Sequence, residues 1–294
     1  MKRTLRNAAG SLTKSANFIR TAWATKRICL AAVLLSSAAP ARVCDGGETI
    51  RVLCYNIHYG QGTDGRYDIQ RLARVISKTQ PDLVALQEVD VGVRRSNQIH
   101  QARELAKHTG MAVRYGPTQH YQGGLYGNAV LTRFDISDVL IQPLPYTASS
   151  PKKTTYPRGA IAVSVRTPQG QPLRFVSTHF QHNLQADRVA EARAINRLFA
   201  GEQESLPTIL AGDMNATPQS EPIKILQQKW TAALEETPAP SAPSINPKSR
   251  IDYVFFRPAD RFRLVSTRVI HEPTASDHLP VFAEFELQNR RSPQ

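Results

Sequence analysis

The chain has 294 residues, of which 41% are hydrophobic and 21% charged, a balance that excludes an intrinsically disordered protein. Its formal net charge of +13 is unevenly spread, because residues 1–41 contain seven basic residues and no acidic one. The other 30 basic and 24 acidic residues leave a net charge of +6, so nucleic-acid binding cannot be inferred from charge.

The amino-terminal segment has the pattern of an export signal. A basic stretch ending at Lys26-Arg27 precedes the apolar run ICLAAVLLSSAAPA, whose end has the small-x-small form of a cleavage site. The run is shorter than the roughly 20 residues that span a bilayer. We predict an export signal over residues 1–41, a single folded domain over 42–294, and a secreted or periplasmic protein. An uncleaved membrane anchor and a misplaced start codon are the alternatives.

Helices and strands mix in the first part of that domain. Apolar periodicity predicts a strand over 49–57, a helix over 68–80 that ends before Pro81, a strand over 82–89, and a helix over 101–109. Five further strands follow, at 111–115, 127–133, 136–144, 159–167 and 173–180.

The second part continues the same mixture. The sequence predicts a long helix over 185–200, a strand ending in GDMN, a short helix over 221–228, a Pro/Ser-rich loop over 237–247, and strands over 250–258, 262–270 and 279–287. This succession indicates an α/β fold in which two stacked sheets carry helices on their outer faces.

Polar side chains stand at the ends of six predicted strands. Each one, taken singly, is compatible with a turn, a cap or a satisfied core residue. Buried charges are costly unless they are paired or bind a metal, so a single convergent site explains all six together. The residues are Asn56, Glu88, His179, Asp213 with Asn215, Asp252, and Asp277 with His278.

The residue types in this set indicate metal-assisted hydrolysis of a phosphoester. Carboxylates such as Glu88 and Asp277 are the hard oxygen ligands that Mg²⁺ prefers, and Mn²⁺ accepts them as well. Asparagines can contact a metal or a phosphate oxygen without adding charge, and histidines can act as acid and base. No serine or cysteine lies in an elbow motif, which argues against a covalent acyl route.

Eight short motifs, in their order and spacing, resemble the endonuclease/exonuclease/phosphatase superfamily. They are YNIHYG, LQEVD, YGNAVLTR, PRGA, STHF, GDMNATP, RIDYVFF and SDHLPV, and they cover roughly residues 49–287. The resemblance implies a four-layer α/β/β/α sandwich of two mainly antiparallel mixed sheets, with the site at the mouth between the sheets.

The resemblance also implies roles for the metal-binding and acid–base residues. Glu88 corresponds to the principal Mg²⁺ ligand, assisted by Asn56 and Asp277. His278 corresponds to the base that activates or orients the attacking water, and Asp252 holds its imidazole.

Further residues are implied to contact the phosphate or the nucleophile. Asp213 and Asn215 would position the nucleophile and contact the scissile phosphate, and His179 would bind a phosphate oxygen or assist the leaving group. Three more positions match phosphate-contacting residues of relatives: Arg158, Asn128 and Tyr126.

Departures from the deoxyribonuclease pattern leave the substrate open. Relatives that cut DNA have an arginine where this chain has Asp90, and a carboxylate where it has Asn128. We therefore expect a phosphodiesterase that does not favour duplex DNA. A lipid head-group on a membrane surface, a nucleotide and an extracellular nucleic acid are all compatible substrates. A nuclease, a sphingomyelinase or phospholipase C-like enzyme, and a non-catalytic binding module are the alternatives. No stable protein partner is implied, and a monomer is expected.

Some polar residues are assigned no role at this stage. Arg94 and Arg95 are interpreted as solvated surface residues, and His182 as a solvated loop histidine. Residues 120–124 are predicted to form a loop at the mouth of the site, where specificity would be determined.

Overall fold

A computed structural model describes residues 47–289, so the predicted export segment lies outside the described residues. The first elements are β1 (Glu48–Asn56), α1 (Ile69–Thr79), β2 (Leu83–Val91), α2 (Gln101–Thr109), β3 (Ala112–Tyr121), β4 (Gly124–Thr132), β5 (Asp135–Pro143) and β6 (Gly159–Arg166). They are followed by β7 (Pro172–His179), α3 (Gln185–Phe199), β8 (Thr208–Asp213), α4 (Glu221–Gln227), β9 (Thr231–Ala232), β10 (Asp252–Arg257), β11 (Phe262–Val269) and β12 (Val281–Leu287).

The strands form two sheets of six strands each within residues 47–289. The first sheet has the order β11-β12-β1-β2-β4-β3, and the second has the order β5-β6-β7-β8-β10-β9. The pairs β1/β2 and β7/β8 are parallel, and the other pairs are antiparallel. The predicted fold class is confirmed: the sheets are mixed and mainly antiparallel.

Three apolar clusters hold four layers together. The largest cluster lies between the two sheets and includes Val52, Ile161, Ile209 and Phe285. A second cluster joins the second sheet to α3 and α4, and a third joins the first sheet to α1 and α2. Burial of these apolar faces is the main stabilising contribution to such a sandwich.

Local signals in the sequence explain where the helices begin and end. The Asp68 side chain accepts a hydrogen bond from the backbone N–H of Arg71, which caps the first turn of α1. Gln80 then adopts a left-handed conformation, with φ of 46°, directly before Pro81. Gly110 ends α2 in the same way, with φ of 67°.

The described strands differ from the predicted ones at the predicted mouth loop. β3 continues through Tyr121, and only Gln122 and Gly123 form the turn into β4, both with positive φ. The predicted loop over residues 120–124 is therefore a tight hairpin end, because pairing with β4 extends as far as Tyr121 and Gly124. No helix in the described range is long and apolar enough to cross a membrane.

Candidate active site

The ends of the central strands of both sheets meet at one place. Asn56 ends β1 in the first sheet, and Asp213 ends β8 in the second. The buried amide nitrogen of Asn56 donates to Asp213 Oδ2 and to Glu88 Oε1, each at 3.1 Å. Predicted residues from β1, β2 and β8 are thus in direct contact across the sandwich.

An irregularity in β2 places Glu88 at this point. The pairing of β2 with β4 shifts between Leu86 and Val89, and Glu88 adopts a φ of 57°. A non-glycine residue in this region costs about 1–3 kcal/mol and persists only where the surroundings enforce it. Its neighbour Gln87 points into the sandwich, where its amide donates to Ser177 Oγ at 3.2 Å. Because of this bulge, the side chain of Gln87 packs inside the sandwich, whereas that of Glu88 lies at the site.

His278 is oriented by two buried carboxylates. Its Nδ1 lies 3.0 Å from Asp252 Oδ2, and its Nε2 lies 3.8 Å from Asp213 Oδ2. Burial opposes the charged imidazole, yet the charges of Asp252 and Asp213 outweigh it and raise the pKa of His278 well above its usual value. Ser241 fixes Asp252 from behind, because its hydroxyl donates to Asp252 Oδ2 at 2.7 Å.

We call Asn56, Glu88, Asp213, Asp252 and His278 the catalytic cluster, after the roles that the sequence resemblance predicts for them. Burial and the neighbouring charge of Asp252 raise the pKa of Asp213 above its usual value. One donor atom each from Asp213, Asp252 and His278 lies within 4.8 Å of the others, the spacing of a group that could hold a metal ion. A divalent cation next to Asp213 would oppose the rise of its pKa, so the carboxylate-rich cluster fits such an ion.

Asp277 lies at the rim of the cluster. Its carboxylate faces His58 Nε2 at 3.8 Å, and its side chain is 46% exposed. Burial raises the pKa of the nearby Tyr59, the charge of Arg95 opposes the rise, and the charges of Glu88 and Asp277 add to it. The three-donor group of Asp213, Asp252 and His278 thus differs from the predicted metal ligands Glu88, Asn56 and Asp277, which remain a prediction.

A positively charged group faces the cluster. Arg158, only 5% exposed, has its Nη1 3.2 Å from Nδ1 of His179, and within the described residues it forms no ion pair with a carboxylate. Its Nε is buried without a hydrogen-bond partner. Burial and the charge of Arg158 lower the pKa of His179 well below its usual value, so the imidazole is neutral near pH 7.

The other predicted phosphate-contacting residues surround this arginine. Asn215, with a φ of 48°, places its amide nitrogen 3.1 Å from His179 Nε2. Tyr126 lines the same cavity as Arg158. Asn128 instead donates to the carbonyl oxygen of Gly159 at 2.9 Å, so its amide holds the residue after Arg158. Its predicted contact with phosphate remains a prediction.

The interpretation of Arg95 as a solvated surface residue is wrong. Its guanidinium donates to the buried carboxylate of Asp90 at 2.8 Å and 3.0 Å. Its central carbon lies 3.6, 4.6 and 5.5 Å from the ring centroids of Tyr59, Tyr121 and Tyr126. We call these four side chains, Arg95 with the three tyrosines, the tyrosine pocket.

The tyrosine pocket opens beside the catalytic cluster. The adjoining cavity has a volume of about 190 Å³ and is also lined by Glu88, Arg158 and the exposed His182. Asp90 is buried and holds an arginine beside Glu88, so its presence does not count against duplex DNA. A signal for this pair exists in the sequence: Asp90 follows a buried strand, and a buried carboxylate requires a cation nearby.

Comparisons with known proteins give a family match. The profile of the Endonuclease/Exonuclease/phosphatase family matches residues 53–278. The chain is 26% identical over 256 residues to the uncharacterized protein YbhP of Escherichia coli K12, covering 81% of this chain and 97% of that protein.

Solved structures share the fold. An endonuclease/exonuclease/phosphatase from Beutenbergia cavernae superposes with a TM-score of 0.69 at 24% identity, covering 82% of this chain and 72% of the other. The mannosyl-6-phosphatase Bt3783 of Bacteroides thetaiotaomicron has a TM-score of 0.64 at 20% identity, covering 80% and 99%. At these identities the likeness is one of fold.

Proposed function

This chain belongs to the endonuclease/exonuclease/phosphatase family, and on that premise we propose that it hydrolyses phosphodiesters with the help of Mg²⁺, which Mn²⁺ could replace. The family consists of hydrolases such as phosphatases and nucleases. The choice of a diester, the metal and the roles of single residues are the parts that we propose.

The observation that carries the proposal is the division of the site into two charged halves. One half holds the carboxylates of Glu88, Asp213 and Asp252, which attract a cation. The other holds Arg158, a buried guanidinium for which the described residues offer no carboxylate partner. A buried charge without a partner is costly, so this arginine is suited to an anion supplied by the substrate. A metal-bound phosphate satisfies both halves at once.

The residues divide the chemistry between them. Glu88, Asn56 and Asp277 would hold the cation, which would supply charge neutralisation at the phosphate. Arg158 and the neutral His179 would bind non-bridging phosphate oxygens. Arg158 contacts His179, and Asn215 contacts His179 from the other side of the ring. Both side chains therefore need little reorganisation when negative charge develops on the phosphate oxygens in the transition state.

The hydrolytic step needs a proton acceptor for the attacking water. The water oxygen forms a bond to phosphorus while the bond from phosphorus to the leaving oxygen breaks. Asp213 would take one proton of the water. His278, whose imidazole Asp252 holds with Nε2 directed at Asp213, would form the acid–base pair with it and orient the water. The leaving oxygen receives a proton in turn from solvent.

Hydrolysis of bis-p-nitrophenyl phosphate tests this function. We expect turnover with added Mg²⁺, loss of turnover in EDTA, and slower hydrolysis of the monoester p-nitrophenyl phosphate. A non-catalytic binding module would bind phosphoesters and release no nitrophenol under any metal. Faster hydrolysis of the monoester would make the protein a phosphatase instead.

We also propose that the protein is exported, as its first 41 residues predict. Amino-terminal sequencing of the mature protein from the native host distinguishes a cleaved, exported protein from one that keeps its amino-terminal segment as a membrane anchor. A start near residue 42 supports export with cleavage, and an intact amino terminus in the membrane fraction supports an anchor.

A further inference from the structure

Arg95 is held so that only one edge of its guanidinium remains available. Nε and Nη2 are engaged with Asp90, whose carboxylate also accepts the Ser96 hydroxyl at 2.9 Å. One guanidinium face lies against Tyr59 at 3.6 Å. Within the described chain Nη1 has no hydrogen-bond partner and is not among the buried unsatisfied atoms. Arg95 lines the cavity, and this nitrogen keeps two N–H donors available to a ligand.

The cavity is rich in hydrogen-bond donors. Arg95 and Arg158 line it together with Gln119 and the hydroxyl-bearing Tyr121 and Tyr126. Glu88 is its only carboxylate among the described lining residues, and Glu88 is assigned to the cation. A donor-rich wall next to a cation site favours oxygen atoms that carry negative charge.

The size and the ring contacts limit what can enter. A volume of about 190 Å³ lies below the roughly 300–1,000 Å³ of pockets that enclose a drug-sized ligand, so one small group fits. The face of Tyr59 is already covered by Arg95. A stacked base is thereby disfavoured on that ring, and an acyl chain is disfavoured by the two guanidinium groups.

We propose that the tyrosine pocket is a subsite for a second phosphate of the substrate, bound through Nη1 of Arg95 and lying beside the scissile phosphodiester. The proposal rests on the proposed function and narrows it to diesters that carry another phosphate. Asp90 is the positioning residue, because it fixes the guanidinium without touching the substrate. A phosphorylated nucleotide chain and a phosphorylated sugar head-group are the two sources of this chemistry.

Matched substrate pairs test the subsite. The first pair is the thymidine dinucleotide with and without a 5′-phosphate, and the second is glycerophosphoinositol with and without a 4-phosphate. We compare kcat/KM within each pair for the wild-type chain, for Arg95→Met, and for Arg94→Met as the control. Arg94 is the exposed neighbour that has no part in the pocket.

The wild type is expected to prefer the phosphorylated member of one pair by about tenfold to a hundredfold, the usual range for charge-assisted hydrogen bonds. Arg95→Met should reduce this preference to below threefold, mainly through KM, and Arg94→Met should retain it. The substrate pair that shows the preference indicates whether the second phosphate belongs to a nucleotide chain or to a sugar head-group. The proposal is overturned if the wild type has equal kcat/KM for the two members of both pairs. It is also overturned if Arg95→Met lowers kcat/KM equally for the phosphorylated and the unphosphorylated member.

Binding in EDTA separates this proposal from the proposed function. Calorimetric titration of the wild-type chain with each member of a pair requires no turnover. A preference for the phosphorylated member that disappears in Arg95→Met supports the subsite even if no diester is hydrolysed. Binding without preference in both pairs overturns the subsite, even if bis-p-nitrophenyl phosphate is hydrolysed.

Discussion

The catalytic cluster and the tyrosine pocket lie next to each other, but different parts of the fold supply their residues. The cluster is made by side chains at or next to strand ends, with Asn56 and Asp213 in contact across the two sheets. The pocket draws half of its residues from short connecting segments, because Tyr59 and Arg95 lie in single 3₁₀ turns, and the other half from the β3–β4 hairpin, which carries Tyr121 and Tyr126. Strand ends are fixed by the packing of the sandwich, whereas turns can vary without disturbing it.

This difference suggests a division of tasks between reaction and selection. Residues of the cluster depend on the core for their positions, so the chemistry is tied to the fold. Residues of the pocket depend mainly on Asp90 and on each other, so the choice of substrate can change separately. The following experiments test whether the two regions have these separate roles.

The largest effect is expected at the catalytic cluster. His278→Ala should lower kcat for bis-p-nitrophenyl phosphate by up to about 10⁴-fold, because the buried imidazole held by Asp252 would be lost. His271→Ala, which removes an exposed histidine, is the matched control. Wild-type turnover by His278→Ala would remove this residue from the acid–base role.

A slightly smaller loss is expected on the phosphate-binding side. Arg158→Met should reduce kcat by about 10²–10³-fold, the typical cost of removing one preorganised charge-stabilising donor. Arg158→Lys should restore part of it, since a lysine keeps the charge but not the planar fork. Arg166→Met, at an exposed position of β6, is the control. An unchanged kcat in Arg158→Met would show that another group binds the phosphate.

Stability should respond in opposite directions in the two regions. Asp90→Asn should lower the free energy of unfolding by about 1–3 kcal/mol, since it weakens a buried carboxylate that holds Arg95. Asp213→Asn should leave it unchanged or raise it by about 1 kcal/mol, because two carboxylates are buried within 4.8 Å of each other. Urea unfolding in EDTA measures both, and a clear destabilisation by Asp213→Asn would contradict the comparison.

The smallest effect on kcat is expected at Glu191, which should instead give stability a pH dependence. Burial raises the pKa of Glu191 on α3 to about 8, opposed by a hydrogen bond from the Gln181 N–H and by the charges of Arg158 and Arg188, while Asp187 adds to the rise. The folded chain therefore keeps a proton that the unfolded chain releases at lower pH. Stability should be full below the usual carboxyl pKa and fall by about 1–4 kcal/mol as pH rises to about 8.

Glu191→Gln should flatten this decline, which urea unfolding at pH 5, 6.5 and 8 would measure. Glu202→Gln, at an exposed position, should keep the wild-type slope. Parallel slopes for the wild type and Glu191→Gln would show that Glu191 is ionised in the folded chain.

The elements and the cluster could be predicted from the sequence because both follow from burial. Alternating apolar residues predict the strands. The polar residues at the strand ends have no partner nearby in the sequence, so their convergence at one site is the simplest explanation. Asn56, Glu88, Asp213, Asp252 and His278 do meet in the structure.

The remaining features depend on contacts between distant segments. The turn of Glu88 towards the site results from a bulge in its pairing with β4, and no local preference of glutamate predicts a φ of 57°. The Ser241 hydroxyl reaches Asp252 from a loop that was interpreted only as a connection. Arg95 was missed because two of its tyrosines lie on β3 and β4, beyond the reach of any short motif.

The contact between Asn56 and Asp213 has a consequence for how the protein can be handled. The hydrogen bonds that join the two sheets in the sandwich interior include this one and the bond from Gln87 to Ser177. A metal–phosphate pair held by groups from both sheets would add to this seam, so occupancy should raise the melting temperature in proportion to the logarithm of ligand concentration. Thermal-shift screening of phosphorylated compounds therefore offers a route to the natural substrate that requires no assay of turnover.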